Sequence, residues 1–289
     1  MIFKGTGVAL VTPFHNDGNV DFTAFGKLID YVTDEGVDFL LVMGTTAESA
    51  TLNQQEKQAL LNFAIEHNNK RLPILYGIGG NNTMAVCNSI KAQNLDGVDG
   101  ILSVAPYYNK PTQEGMFEHF NRIAQISSKP IILYNVPGRT SSNILPETVL
   151  KLANKHKNII GLKAASGNMA QIMTVIKDKP KNFTVLSGDD ALTLPLIAAG
   201  AEGVISVVAN AFPKDFSRML KLAFDNNYAE ARKIHYKLID IISMMFEQGN
   251  PAGVKAYLHA MGLINNIMRL PITPVNENLY KKIEQSLNK

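Results

Sequence analysis

Eight short apolar runs recur along the 289-residue chain, at residues 7–13, 39–44, 73–79, 100–106, 130–137, 159–165, 183–188 and 203–209. Most are rich in Val, Ile and Leu without clean alternation, the pattern of strands covered on both faces, as in parallel sheets. The intervening segments read as helices. Residues 22–35 place Phe25, Leu28, Ile29 and Val32 on one face, and residues 54–68 do the same with Leu60, Leu61, Ala64 and Ile65. Asn53, with Glu56 three residues later, has the form of a capping box. A weak repeat precedes three of the runs: Glu35-Gly36-Val37-Asp38, Asp96-Gly97-Val98-Asp99 and Ala199-Gly200-Ala201-Glu202. In each, glycine stands where a helix must stop, at a left-handed position that glycine tolerates best.

Eight βα units within residues 1–225 predict an α/β fold, a (β/α)8 TIM barrel. A doubly wound open sheet is the alternative, but Gly77-Ile78-Gly79-Gly80 lacks the third glycine of a dinucleotide fingerprint. After residue 226 the strand signal stops. Residues 228–246, 252–261 and 276–287 read as helices, so 226–289 is expected to be a C-terminal helical appendage packed on the barrel. Hydrophobic residues at 46% allow a sizeable core, and a net charge of +3 without a basic cluster gives no support for nucleic-acid binding. No apolar run is long enough to span a membrane. The strand-like start at Met1-Ile2-Phe3-Lys4-Gly5 leaves no room for a signal peptide, and the one cysteine, Cys87, fits a reducing compartment. These features predict a cytoplasmic protein.

A barrel of this kind carries its chemistry at the C-terminal ends of its strands. Five runs end there in reactive groups: Thr45 and Thr46 in the second, Tyr107 and Tyr108 in the fourth, Tyr134 and Arg139 in the fifth, Lys163 in the sixth, and Asp189 and Asp190 in the seventh. Lys163 is the least expected, inside Ile159-Ile160-Gly161-Leu162-Lys163-Ala164-Ala165. It reads either as an edge residue with a packed stem or as a desolvated amine able to attack a ketone and form an imine. The surrounding hydroxyls favour the second reading, because imine formation needs repeated proton transfers. Tyr134 and Tyr108 are otherwise core aromatics, and Asp189 and Asp190 helix caps. The Thr45 and Thr46 amides and the Arg139 fork suit small carboxylates. The histidines form no metal-binding spacing, there is no Gly-x-Ser-x-Gly elbow, and Met169 and Met173 read as helix core.

Gly44-Thr45-Thr46-Ala47-Glu48-Ser49-Ala50-Thr51-Leu52, Tyr134-Asn135-Val136-Pro137-Gly138-Arg139-Thr140 and Lys163 resemble the dihydrodipicolinate synthase (4-hydroxy-tetrahydrodipicolinate synthase) family. These are class I pyruvate-dependent aldolases related to N-acetylneuraminate lyase. The resemblance extends to Asn250-Pro251-Ala252-Gly253-Val254-Lys255 and Leu270-Pro271. It implies condensation of pyruvate with L-aspartate 4-semialdehyde in lysine and diaminopimelate biosynthesis. Lys163 would form the imine, and Tyr134, Thr45 and Tyr108 would relay protons, Tyr108 from across a subunit interface. The Thr45–Thr46 backbone would hold the pyruvate carboxylate and Arg139 that of the semialdehyde. Gly188, Asp189 and the Ile205 carbonyl would line the pocket. No metal or organic cofactor is implied, and a homo-oligomer is, a homotetramer being common. Another pyruvate-dependent aldolase is the second enzyme reading. A non-catalytic paralogue is the third, opposed by the complete set of Lys163, Tyr134, Thr45 and Tyr108.

Three departures from the family pattern stand out. Ala47 replaces a usual glycine, so its backbone is expected in a conformation alanine tolerates. Lys163-Ala164-Ala165 replaces Lys-Glu-Ala, which puts lysine protonation or its surroundings, and hence the rate, in doubt. In lysine-inhibited members a glutamate and histidines bind the inhibitor, and the matching positions here are Ala85, Gln54 and Lys57. A lost carboxylate and an added cation predict weak or absent lysine inhibition, although Ser49, Ala50, Asn81 and Tyr107 remain.

Overall fold

The structure, a computed structural model, describes residues 2–287. Eight parallel strands close into a barrel in chain order: β1 (Gly5–Ala9), β2 (Phe39–Val42), β3 (Ile74–Gly77), β4 (Gly100–Val104), β5 (Ile131–Asn135), β6 (Ile159–Ala164), β7 (Thr184–Ser187) and β8 (Gly203–Ser206). The predicted (β/α)8 barrel is therefore the fold. The strands are shorter than the apolar runs, because the last residues of each run leave the ladder to build the barrel mouth. The first strand also starts earlier than its run: Gly5 N donates to the Glu202 carbonyl at 2.9 Å, closing β1 onto β8.

Helices follow the strands. Along the barrel these are α1 (Phe22–Asp34), α2 (Gln54–Asn68), α3 (Thr83–Ala92), α4 (Gln113–Ile126), the one-turn α5 (Pro137–Thr140), α6 (Pro146–Lys155), α7 (Met169–Asp178), α8 (Thr193–Ala198) and α9 (Pro213–Phe224). Then come α10 (Tyr228–Glu247), α11 (Ala252–Ala260) and α12 (Glu277–Leu287), with α10 packed on α9 and α11, and α12 on both α10 and α11. The capping box forms as predicted: Asn53 Oδ1 accepts from Glu56 N and Glu56 Oε2 accepts from Asn53 N, both at 2.9 Å. Among the described residues no helix is long and apolar enough to cross a membrane.

The Gly-Val-Asp repeat has a physical role. Gly36, Gly97 and Gly200 all take positive φ; Gly36 and Gly200 directly follow the caps of α1 and α8, whereas α3 has already stopped at Ala92 and Gly97 turns the loop behind it. The aspartates that follow two of them seal the barrel bottom: Asp38 Oδ2 accepts from Thr6 N, and Asp99 Oδ2 from Ile74 N. Each carboxylate thus satisfies an amide at the start of a neighbouring strand, the second of β1 and the first of β3.

Two apolar layers result from the two-residue period of each strand. Leu41, Leu75, Leu102, Ile132, Leu186 and Ile205 fill the barrel, with Phe3 edge-on to Phe39 among them. Leu40, Val42, Ile101, Leu133, Leu162, Val185 and Val204 face the helices. The reading of Met169 and Met173 as helix core holds for Met169, which is partly buried against the core, and needs correction for Met173. The buried face of α7 is Ile172 and Val175, and Met173 lies on the other side, 44% exposed. Cys87 is buried on α3, as packing requires.

Candidate active site

Alternation along β5 and β6 fixes the central pair. Leu133 and Leu162 are paired in register and both point out to the helices, so Tyr134 and Lys163, the next pair, both point into the barrel. The Lys163 amine lies 4.3 Å from the centroid of the Tyr134 ring. Both side chains are almost fully buried, at 5% and 7% exposure, and among the described residues Lys163 makes no ion pair. A strand lysine with this setting is not an edge residue. Gly188, just past β7, leaves room for it: a Cβ there would stand 3.0 Å from both Lys163 Cγ and Lys163 Cε.

The two aspartates after β7 divide their work. Asp189 caps the turn that follows, accepting from Ala191 N at 3.1 Å. Asp190 is buried and reaches across to the end of β8, where its Oδ2 accepts from Val207 N and Val208 N at 3.0 and 3.2 Å. Burial pushes its carboxyl up to about 6 against these bonds. This latch holds together the ends of the two strands that carry Gly188, Asp189 and Ile205, and no local sequence signal announces it. Ile205 itself points inward on β8.

After β2 the chain makes two short 3-10 turns, Thr45–Ala47 and Ser49–Thr51, joined by Glu48 at φ +54. The leading amides of such a turn have no partner within it. Thr45 is exposed, while Thr46 is buried and its hydroxyl accepts from Asn250 Nδ2 at 2.9 Å. Ala47 lies outside the left-handed region, as expected for alanine, and the positive φ falls on Glu48 instead. Thr12 Oγ1 donates to the Ala47 carbonyl at 2.7 Å. Ala164 packs in the shell between barrel and helices. Position 164 thus lies on the helix side of β6 and not beside the amine.

A cavity of about 510 Å³ opens over the mouth, lined by Thr45, Tyr134, Val136 and Arg139 and continuing past Ser49, Ala50, Gln54, Lys57 and Tyr107. Asn81 lies outside that lining and donates through Nδ2 to the Tyr107 carbonyl at 3.3 Å. Ala85 is exposed on α3. Burial pulls the Lys57 ammonium below its usual range, and among the described residues it makes no ion pair. Tyr108 is 83% exposed at φ +74, and the cavity lining includes neither it nor Lys163, Thr46, Gly188, Asp189 or Ile205.

Sequence reasoning missed what lies behind the threonine loop. Glu48 is wholly buried, with its Oε1 accepting from Lys255 Nζ on α11 and its Oε2 from Arg269 N at 2.9 Å. Arg269 in turn grips Glu56 and donates to the Gly18 and Thr51 carbonyls. Residues 48 and 255 lie too far apart for any local pattern to join them. The late Asn250–Lys255 segment gave the only hint.

The profile of the dihydrodipicolinate synthetase family matches residues 2–289. A 4-hydroxy-tetrahydrodipicolinate synthase of Flavobacterium psychrophilum is 53% identical over 282 residues, covering 98% of this chain and 96% of that protein. The synthase of Phocaeicola vulgatus is 50% identical over 285 residues, covering 99% and 96%. Among solved structures, dihydrodipicolinate synthase from Aquifex aeolicus superposes with a TM-score of 0.96 at 40% identity, covering 99% of this chain and 97% of that one. With its barrel lysine, neighbouring tyrosine and threonine loop in place, the chain belongs to the dihydrodipicolinate synthetase family.

Proposed function

We propose that this lyase joins pyruvate to L-aspartate 4-semialdehyde through an imine on Lys163, giving 4-hydroxy-tetrahydrodipicolinate for lysine and diaminopimelate biosynthesis. The observation that carries the reading is the registered pair Tyr134 and Lys163, with the amine 4.3 Å from the ring centroid at the mouth of a closed barrel. The neutral amine adds to the ketone carbon, and water leaves with a proton passed by the Tyr134 phenol. Tyr134 then takes a proton from the methyl carbon to give the enamine. That carbon attacks the aldehyde, and the amino group of the semialdehyde adds to the imine carbon, closes the ring and releases Lys163.

The remaining roles are those that the family resemblance implies. The Thr45 and Thr46 amides hold the pyruvate carboxylate, and the Arg139 guanidinium takes the semialdehyde carboxylate through its fork. Gly188, Asp189 and the Ile205 carbonyl form the opposite wall. The Thr45 hydroxyl extends the proton relay towards Tyr108 of a second copy of the chain. The exposure of Tyr108 supports this arrangement, which requires at least a homodimer, and a homotetramer is the assembly we propose, working in the cytoplasm. Lysine acts weakly or not at all at Ser49, Ala50, Asn81 and Tyr107. The nearby cation is Lys57, and Ala85 offers no carboxylate.

A substrate panel tests the reading. Pyruvate is offered with aspartate semialdehyde, N-acetylmannosamine or glyceraldehyde, and product is followed for each. Turnover with the semialdehyde is expected, and turnover confined to a sugar aldehyde would replace this reading with that of another pyruvate-dependent aldolase.

A further inference from the structure

The threonine loop owes little of its shape to the barrel ladder. Its two short turns meet at Glu48, a residue with a Cβ in the left-handed region, a conformation that persists only where the surroundings impose it. What surrounds Glu48 is an ion pair with Lys255, both side chains at 0% exposure. The Lys255 ammonium also donates to the Ile267 carbonyl at 2.9 Å and sits 4.3 Å from the centroid of the Phe14 ring. The charged groups facing it are Glu48 and, beyond it, Arg269, which is held by Glu56. From the same end of α11, Asn250 Nδ2 bonds the Thr46 hydroxyl.

A fully buried ion pair is a poor source of stability, because apolar residues of the same volume often do as well. It does fix geometry, since each partner must meet the other. Here it joins α11 to the residue that follows the Thr45–Ala47 turn. Resting on the pyruvate reading above, we propose that the Glu48–Lys255 pair sets the position of the Thr45 and Thr46 amides, and with it the enzyme's hold on the keto-acid carboxylate. Glu48 and Lys255 are positioning residues and touch no reacting atom.

The test uses full-length wild type, Lys255→Met, Glu48→Gln and the double variant. For each, the pyruvate concentration giving half-maximal borohydride trapping on Lys163 is measured beside Tm and the KM for semialdehyde. The single variants raise half-saturating pyruvate about tenfold and leave the semialdehyde KM within about twofold. The double variant leaves no unpaired buried charge, so its Tm recovers towards wild type while half-saturation stays raised. Recovery of pyruvate affinity together with Tm would assign the pair a structural role only and overturn the proposal. Unchanged half-saturation in any folded variant would do the same.

A pH profile of wild type beside Lys255→Met supplies a second measurement. Burial pulls the Lys255 ammonium down to about 8, against the opposing pull of Glu48. As pH rises through that value the cation is lost, so half-saturating pyruvate rises while the semialdehyde KM does not follow. An equal rise in Lys255→Met, which has no ammonium to lose there, contradicts the proposal. Failure of wild-type Lys163 to trap pyruvate at all would instead sink the functional reading beneath it.

Discussion

Replacing Gly188 with alanine puts a single methyl group against the amine-bearing side chain. The new Cβ would lie 2.9 Å from Ala165 Cβ and 3.0 Å from both Lys163 Cγ and Lys163 Cε. Carbon atoms pack comfortably at roughly 3.5–4.0 Å, so the lysine stem must move by about 0.5–1 Å. Gly188 has no positive φ, so the backbone accepts alanine and the whole effect falls on that contact. Overpacking of this size costs about 1–3 kcal/mol of stability. A displacement of about 1 Å at a reacting atom costs up to ~100-fold in rate, so kcat is expected to fall roughly 10- to 100-fold. The assay is steady-state turnover with both substrates, beside a thermal melt. Gly138→Ala serves as the control, because a Cβ there meets nothing within 4 Å and should leave both readings unchanged. A Gly188→Ala enzyme that melts as expected yet turns over within about twofold of wild type would refute the argument that this glycine reserves space for Lys163.

Three further outcomes follow from the same geometry. Arg139→Ala removes a charge-assisted fork of about 1.5–3 kcal/mol, so the semialdehyde KM should rise about tenfold or more while pyruvate trapping holds, and unchanged kinetics would remove the role assigned to Arg139. Lysine should inhibit weakly or not at all, because Lys57 stands in the cavity where a cationic ligand would sit, and half-inhibition below about 1 mM in a steady-state assay would contradict this. Asp190 binds its proton up to about pH 6 when folded, against an ordinary value of 3.8, so the folded state holds the extra proton between these values and stability falls as pH rises across them. At about 1.4 kcal/mol per pH unit that loss is roughly 3 kcal/mol by neutrality. Asp190→Asn keeps an acceptor for the Val207 and Val208 amides and abolishes the slope, so its Tm gains on wild type between pH 4 and 7, and parallel melting curves would show that burial does not raise the Asp190 carboxyl.

The architecture was legible because each level of the sequence agreed with the next. Apolar runs marked the strands, glycine marked the helix ends, and the aspartates after two of those glycines turned out to bond the neighbouring strand. Strand ends were less legible, since residues such as Ala105, Val136 and Val208 remain apolar after leaving the ladder. The candidate site residues were readable through strand-end position, and Lys163 through its oddity in an apolar run. Their support was not. The Glu48–Lys255 pair, the Asn250–Thr46 bond and the Asp190 latch join residues that the chain separates, and single-sequence patterns carry only local periods. Met173 misled for a related reason: four-residue spacing from Met169 put it on a helix face, but not the face the barrel covers.

Everything proposed for this enzyme depends on the barrel lysine becoming covalently attached to its keto acid. Borohydride reduction in the presence of pyruvate, followed by peptide mass analysis, tests that directly. The account predicts a reduced pyruvyl adduct on the peptide containing Lys163, with loss of turnover in step with labelling. An unlabelled Lys163 in enzyme that keeps turning over would contradict it.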